Sequence, residues 1–130
     1  DPKRIEAACA KVRKASAGSD TAAGRHIYQV VSLWKIEEYE KAVEVAQTAT
    51  KNISQSADLW CVLGRAYMLR ERRGDAALAD SAFRKARELG CTRAELLQLW
   101  CDAKRKLGDW MGLIDILKSE EGKSGGQRLL

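Results

Sequence analysis

The sequence predicts an all-α protein, a helix-turn-helix repeat solenoid of about seven antiparallel helices, and three observations predict it. Of the 130 residues one is proline, Pro2, so a long chain follows without that helix breaker. Apolar and small residues recur four and then three positions apart, as on one face of a helix. The same pattern returns at steps of 34, 37 and 34 residues. Stacked helical units explain these steps better than a single central core.

The repeat is carried by four stretches that align with one another, each with three positions on one helical face. They are Ala8, Val12 and Ala15; Ala42, Ala46 and Ala49; Ala79, Phe83 and Ala86; and Leu113, Leu117 and Glu120. The middle step is longer by about one helical turn, with the extra residues near 70–73. We therefore expect a longer first helix or a wider turn there, with Arg70, Arg72 and Arg73 projecting beyond the packed body.

Turn residues and polar joints divide the pattern into elements. Polar joints at 18–21, 52–56 and 90–92 separate the units, and Gly74-Asp75 and Gly108-Asp109 mark turns within them. The helices are predicted at about 3–17, 21–35, 38–51, 56–72, 75–89, 93–107 and 109–119. They form a half repeat at 3–17, repeats at 21–52, 56–90 and 92–119, and a flexible, glycine-rich tail at 120–130.

The middle unit resembles the tetratricopeptide repeat family, and the chain as a whole resembles about three and a half such repeats. The resemblance rests on the first-helix residues Trp60, Leu63, Gly64 and Tyr67, on the Gly74-Asp75 turn, and on Ala79, Phe83 and Ala86 in the second helix. These residues suit close packing, because small side chains on one helix face large ones on the other.

The chain departs from the family pattern at several positions. Lys104 replaces the tyrosine of the third unit and Glu120 its last alanine, while His26 stands where the first unit should have an aromatic residue. The family's proline between repeats is missing throughout. The resemblance is accordingly strong over 57–119 and weaker before it.

Composition argues against several classes of activity. The formal net charge is a mild +5, and the four cysteines, Cys9, Cys61, Cys91 and Cys101, form no close pair. With His26 as the one histidine, neither a metal site nor a histidine-based catalytic group is expected. We therefore expect no enzymatic activity and no cofactor. No apolar run approaches the roughly 20 residues that cross a bilayer, so we expect a cytoplasmic protein without membrane insertion.

The resemblance implies that the first helices line a concave face on which a peptide or helix of a partner protein docks. The implied partner-binding residues are Tyr28, Val31, Trp34, Lys35, Asp58, Cys61, Val62, Arg65, Met68, Leu69, Glu95, Gln98, Leu99, Asp102 and Arg105. The family's carboxylate clamp would fall at Ile27, Val31, Val62 and Leu99. An apolar or amphipathic segment, oriented by Arg65 and Arg105, therefore fits better than a terminal carboxylate.

Three other interpretations stay open. The clusters Arg70 to Arg73, Arg84 to Arg87 and Lys104 to Lys106 favour a nucleic-acid (RNA) binding module, although interleaved acids favour an ordinary solvated face. The chain is also compatible with an adaptor or sensor segment of a larger signalling or defence protein. The incomplete N-terminal repeat predicts self-association through the N-terminal helix.

Overall fold

The computed structural model describes residues 3–5, 22–91 and 94–123, with side chains as far as Ser119. Residues 3–5 are helical, and six helices of 14 residues each follow. They are α1 (Ala22–Lys35), α2 (Tyr39–Asn52), α3 (Ala57–Arg70), α4 (Asp75–Glu88), α5 (Ala94–Leu107) and α6 (Trp110–Lys123). This part of the chain has no strand. The prediction of an all-α, repeat-like fold is confirmed.

The helices pack in two layers. Each helix packs against the next along the chain, and the short turns make consecutive helices antiparallel. The first helices of the units, α1, α3 and α5, also contact one another in sequence, whereas α2, α4 and α6 make no such contacts over the ranges given above. The first helices therefore form one continuous layer, and the second helices stand apart on the other side.

The centre of the stack is the contact between α3 and α4, where small residues face large ones as predicted. Phe83 is fully buried, and its ring lies against the backbone of Gly64. Ala79 and Ala86 are also fully buried, and Tyr67 is nearly so. A smaller cluster joins α5 to α6, and the half-buried Trp100 packs against both clusters. The core is thus distributed along the stack.

The extra residues of the middle unit form a wider turn and not a longer helix. The α3 helix ends at Arg70, and a left-handed Glu71 (φ 55°) leads into a turn that closes through Gly74 (φ 86°). The prediction that Arg70 projects beyond the packed body is wrong. Its side chain is 14% exposed, because it turns back to bond Asp75 at the start of α4. Arg72 is exposed, as expected.

The helix ends agree with the predicted ones to within a few residues. The largest difference is at α6, which continues to Lys123 instead of ending at 119. The predicted helix at 3–17 lies outside the described residues beyond residue 5, as does the predicted tail from 124 onward. Over the described ranges, no helix combines the length and the apolar character that crossing a bilayer requires.

Candidate binding face on the first helices

An apolar row crosses α1, α3 and α5 at equivalent repeat positions. Tyr28, Val62 and Leu99 are separated by 34 and 37 residues, the steps of the repeat. Tyr28 is 52% exposed, whereas Val62 and Leu99 are half-buried and pack one side against the core. Because α3 contacts both α1 and α5, these equivalent positions lie in one row across the three helices, and each residue keeps an accessible surface. We call the layer of α1, α3 and α5 on this side the first-helix face.

The next two rows of the first-helix face mix apolar and charged residues. One row holds Val31, Arg65 and Asp102, and the following row begins with Trp34. The Arg65 guanidinium lies over the Trp34 ring, 5.8 Å from its centroid, a cation–π contact between α3 and α1. The contact holds a positive charge beside the apolar row in a defined position.

Most of the predicted partner-binding residues are accessible. Lys35, Glu95, Gln98, Asp102 and Arg105 are exposed. The half-buried ones are Val31, Trp34, Asp58, Val62, Arg65, Met68, Leu69 and Leu99. The sequence predicts Cys61 as a partner-binding residue on the concave face, but it is 9% exposed and belongs to the core cluster. It lies on α3, the central helix of the stack, which contacts α1, α2, α4 and α5.

A groove extends the first-helix face at its C-terminal end. It encloses about 660 Å³ between α5 and α6. Its lining residues are Ala94, Glu95, Leu97, Gln98, Cys101, Asp102, Arg105 and Leu117. Four of these are predicted partner-binding residues. The sequence predicts Leu117 only as a position in the repeat; its 41% exposure depends on how α6 packs, which the repeat spacing does not contain.

The basic clusters considered for nucleic-acid binding are largely engaged in ion pairs. Arg70 bonds both oxygens of Asp75 and also Glu40, which pairs with Arg72 as well. Lys106 pairs with Glu71 at 3.2 Å, across two units. Each pair reduces the positive charge that the cluster offers to a phosphate backbone.

Lys104 is a buried charge whose role the sequence did not indicate. It is 5% exposed, and its Nζ lies 3.1 Å from Asp80 on α4 and 2.9 Å from Asp109 before α6. The Nε1 of Trp100 donates to the same oxygen of Asp80, Oδ1, at 2.6 Å. Burial lowers the pKa of Lys104, but the hydrogen bonds to Asp109 and Asp80 outweigh it and raise the pKa above its ordinary value. The lysine is therefore charged and joins α5 to α4 and to the turn before α6.

Two aspartates at the turns have pKa values below the ordinary one. Burial raises the pKa of Asp75, but the hydrogen bond from Arg70 and that from the Arg72 backbone more than reverse the effect. For Asp109 the main cause is the hydrogen bond from Lys104, followed by the one that the Gly112 backbone donates. Each carboxylate thus holds a turn closed in its charged form.

Acid is expected to weaken the fold through these two groups. A carboxyl whose pKa is lower in the folded state contributes stability above its unfolded pKa, and that stability is lost as the pH falls through the folded value. The free energy of unfolding is therefore expected to decline below about pH 4. Urea unfolding at a series of pH values measures the decline. Asp75→Asn should show a shallower decline, and an unchanged one would contradict the assignment to Asp75.

The described cysteines are buried and show no arrangement for metal binding. Cys61, Cys91 and Cys101 are buried free thiols, and burial raises the pKa of Cys101. Within the described residues, no group of three or more histidine, cysteine, aspartate or glutamate side chains is arranged to hold a metal ion.

The sequence matches none of the protein-family models and none of the curated proteins with which it was compared.

Proposed function

We propose that this chain is a non-enzymatic interaction module of the tetratricopeptide-repeat type. It binds an amphipathic peptide or helix of a partner protein on the first-helix face. The observation that supports this most is the apolar row of Tyr28, Val62 and Leu99, which crosses three adjacent helices and keeps an accessible surface. Anchoring apolar side chains in such a row supplies affinity, and the charges around it set the orientation.

The charges on the first-helix face favour one orientation of the bound segment. Since consecutive helices are antiparallel, α1, α3 and α5 run in the same direction, with their first turns at one edge. Asp58 and Glu95 lie at that edge, whereas Lys35 and Arg105 lie toward the opposite one. A ligand with basic residues on one side of its apolar stripe and acidic residues on the other matches this pattern.

Introducing a charge into the apolar row is expected to weaken partner binding strongly. Val62→Glu places a charge in the middle of the row, and Tyr28→Glu does so at an exposed position that the core does not need. We expect each variant to capture at most about one tenth of the partner that the wild type captures. The reason is that a charge in an apolar anchor site costs more than the roughly 1.4 kcal/mol that a factor of ten represents. The measurement is affinity capture from a native cell extract, quantified by mass spectrometry.

Leu78→Glu is the matched control. Leu78 is a large exposed apolar residue on α4, away from the first-helix face, and is 47% exposed. Captured proteins that bind wild type and Leu78→Glu but neither face variant identify the ligand. Equal capture by Tyr28→Glu and wild type, with unchanged helical circular dichroism, would show that ligands bind elsewhere.

The proposed location is the cytoplasm. Free, buried thiols at Cys61, Cys91 and Cys101 are typical of a reducing compartment, where a protein with a sufficient core does not need disulfides. These thiols are also consistent with a packing role, since each lies in or beside the apolar core.

A further inference from the structure

A pocket of about 350 Å³ lies between the second helices α4 and α6. Over the ranges given above these two helices do not contact each other, but both pack on α5, whose residues complete the lining. None of the predicted partner-binding residues lines this pocket, and among the described residues it shares only Leu97 with the groove between α5 and α6. Its volume is within the range of small-molecule sites, about 300 to 1,000 Å³. We call it the α4–α6 pocket.

The buried Lys104 lines this pocket with one hydrogen-bond donor that no carboxylate occupies. The residue is 5% exposed, and its Nζ lies 3.1 Å from Asp80 and 2.9 Å from Asp109. An ammonium group carries three donors, and these two carboxylates are its partners among the described residues. Because buried donors are nearly always bonded, an oxygen atom placed in the pocket would complete the set.

Two arginines add positive charge on the α4 wall of the pocket. Arg84 and Arg87 lie three residues apart, on one face of the helix. Arg84 is 56% exposed, and the atoms of its pair with Asp80 are 3.5 Å apart. If Arg84 turns toward a ligand, Asp80 keeps its bonds from Lys104 and Trp100. The arginine can therefore bond a ligand without leaving a buried charge unpaired.

Part of the lining is apolar and well ordered by its contacts. Leu97 and Trp100 on α5 and Ile116 on α6 provide this surface. The Trp100 ring is half-buried, and its Nε1 donates to Asp80, which holds the ring in one orientation. An aromatic ring is the kind of group that packs well beside a fixed indole.

The acidic residues of this region limit the charge that a ligand can bring. Asp115 lines the α6 wall and is exposed, whereas Asp80 and Asp109 already bond Lys104. These three carboxylates formally balance the three cations of the pocket. A group with two or more negative charges would therefore be repelled by Asp115, while a single carboxylate matches the available donors.

We propose that the α4–α6 pocket binds a small organic acid with one carboxylate and an aromatic body. The carboxylate oxygens accept from Lys104 and from the guanidinium groups of Arg84 and Arg87, and such charge-assisted bonds are the strong ones. The aromatic body lies against Trp100 and Ile116. This site is independent of the protein ligand proposed for the first-helix face.

Titration of phenylpropionate into the full chain tests the proposal, with the NMR signal of the Trp100 indole N–H as the readout. Trp100→Phe identifies that signal by removing it. A ligand of about a dozen heavy atoms is expected to saturate the shift with a Kd of about 1 mM. Phenylpropanol, which lacks the charge, and propionate, which lacks the ring, should each bind at least about tenfold more weakly. Phenyl phosphate, which carries a second negative charge, should also bind more weakly.

Removing the two arginines together tests the α4 wall. The double variant of Arg84→Gln with Arg87→Gln is expected to raise the Kd at least about tenfold, with unchanged helical circular dichroism because neither residue belongs to the core clusters. The matched control, Lys41→Gln with Lys51→Gln, removes the same charge from exposed positions on α2 and should leave the Kd unchanged. Asp115→Asn should lower the Kd about threefold.

Three results would overturn the proposal. One is an unchanged Trp100 signal at about 20 mM phenylpropionate. Another is equal weakening by the two double variants, which would mean that the ligand responds to overall charge alone. The third is tighter binding of phenyl phosphate than of phenylpropionate. Tyr28→Glu and Val62→Glu should bind phenylpropionate as the wild type does, so this test is separate from that of the first-helix face.

Discussion

Replacing Gly64 with alanine is expected to lower the free energy of unfolding by about 2 to 3 kcal/mol. A Cβ atom built on Gly64 would lie 2.5 to 2.8 Å from three ring atoms of Phe83. That ring is fully buried in the centre of the core, so it cannot move into solvent to make room. The two central helices would have to separate, and the loss of packing exceeds the gain in helix propensity that alanine brings.

Urea unfolding followed by tryptophan fluorescence measures this effect, and Gly74→Ala serves as the control. Nothing lies within 4 Å of a Cβ at Gly74, whose positive φ of 86° costs an alanine about 1 kcal/mol for backbone reasons alone. Phe83→Leu in the Gly64→Ala background should recover part of the loss, giving a favourable coupling in a double-mutant cycle. Additive losses would show that the two residues do not compete for the same space.

Replacing Asp75 with alanine is expected to cost about 3 kcal/mol or more. The carboxylate is 2% exposed and receives both a two-pronged bond from Arg70, at 2.8 and 2.9 Å, and the Arg72 backbone N–H at 2.9 Å. Removing it leaves the Arg70 guanidinium mostly buried, with the exposed Glu40 at 3.3 Å as an ion-pair partner. The wide turn would lose its main closure at the same time.

The matched control for Asp75 is the other carboxylate on the same arginine. Glu40 is 47% exposed, so Glu40→Ala removes two solvent-screened pairs, with Arg70 and Arg72, and is expected to cost less than about 1 kcal/mol. Thermal unfolding of both variants and the wild type at pH 7 gives the comparison. Similar losses for the two substitutions would mean that Asp75 contributes no more than a surface charge does.

The repeat spacing predicted the helices and the small-on-large packing, because both depend on local periodicity. Gly64, Phe83 and Ala79 lie where the pattern requires them. Lys104 and Arg70 were misjudged for a physical reason: charged residues in a run suggest a solvated face. Their burial depends on turns that bring Asp109 and Asp75 within hydrogen-bond distance of them. This is a tertiary effect, which cannot be predicted from helix periodicity.

The candidate face was predictable in part. Equal steps along the chain place Tyr28, Val62 and Leu99 in one row, since equivalent positions in stacked units share an orientation. The exposure of a side chain was harder to predict, because it depends on the neighbouring helices. Cys61 belongs to the core cluster and is 9% exposed, whereas Leu117 on the last helix is 41% exposed. Sequence spacing therefore predicts on which face of a helix a side chain lies, whereas its exposure depends on the packing of the neighbouring helices.

The two-layer arrangement has a mechanical consequence. Neighbouring first helices contact one another, whereas the second helices do not over the described ranges. One layer of the stack is therefore continuous, and the other consists of separate helices. We expect such a stack to bend most easily about the layer of first helices, because bending there separates few packed side chains. The apolar row runs across that layer. A ligand that contacts all three first helices would therefore fix their relative orientation and so the curvature of the stack.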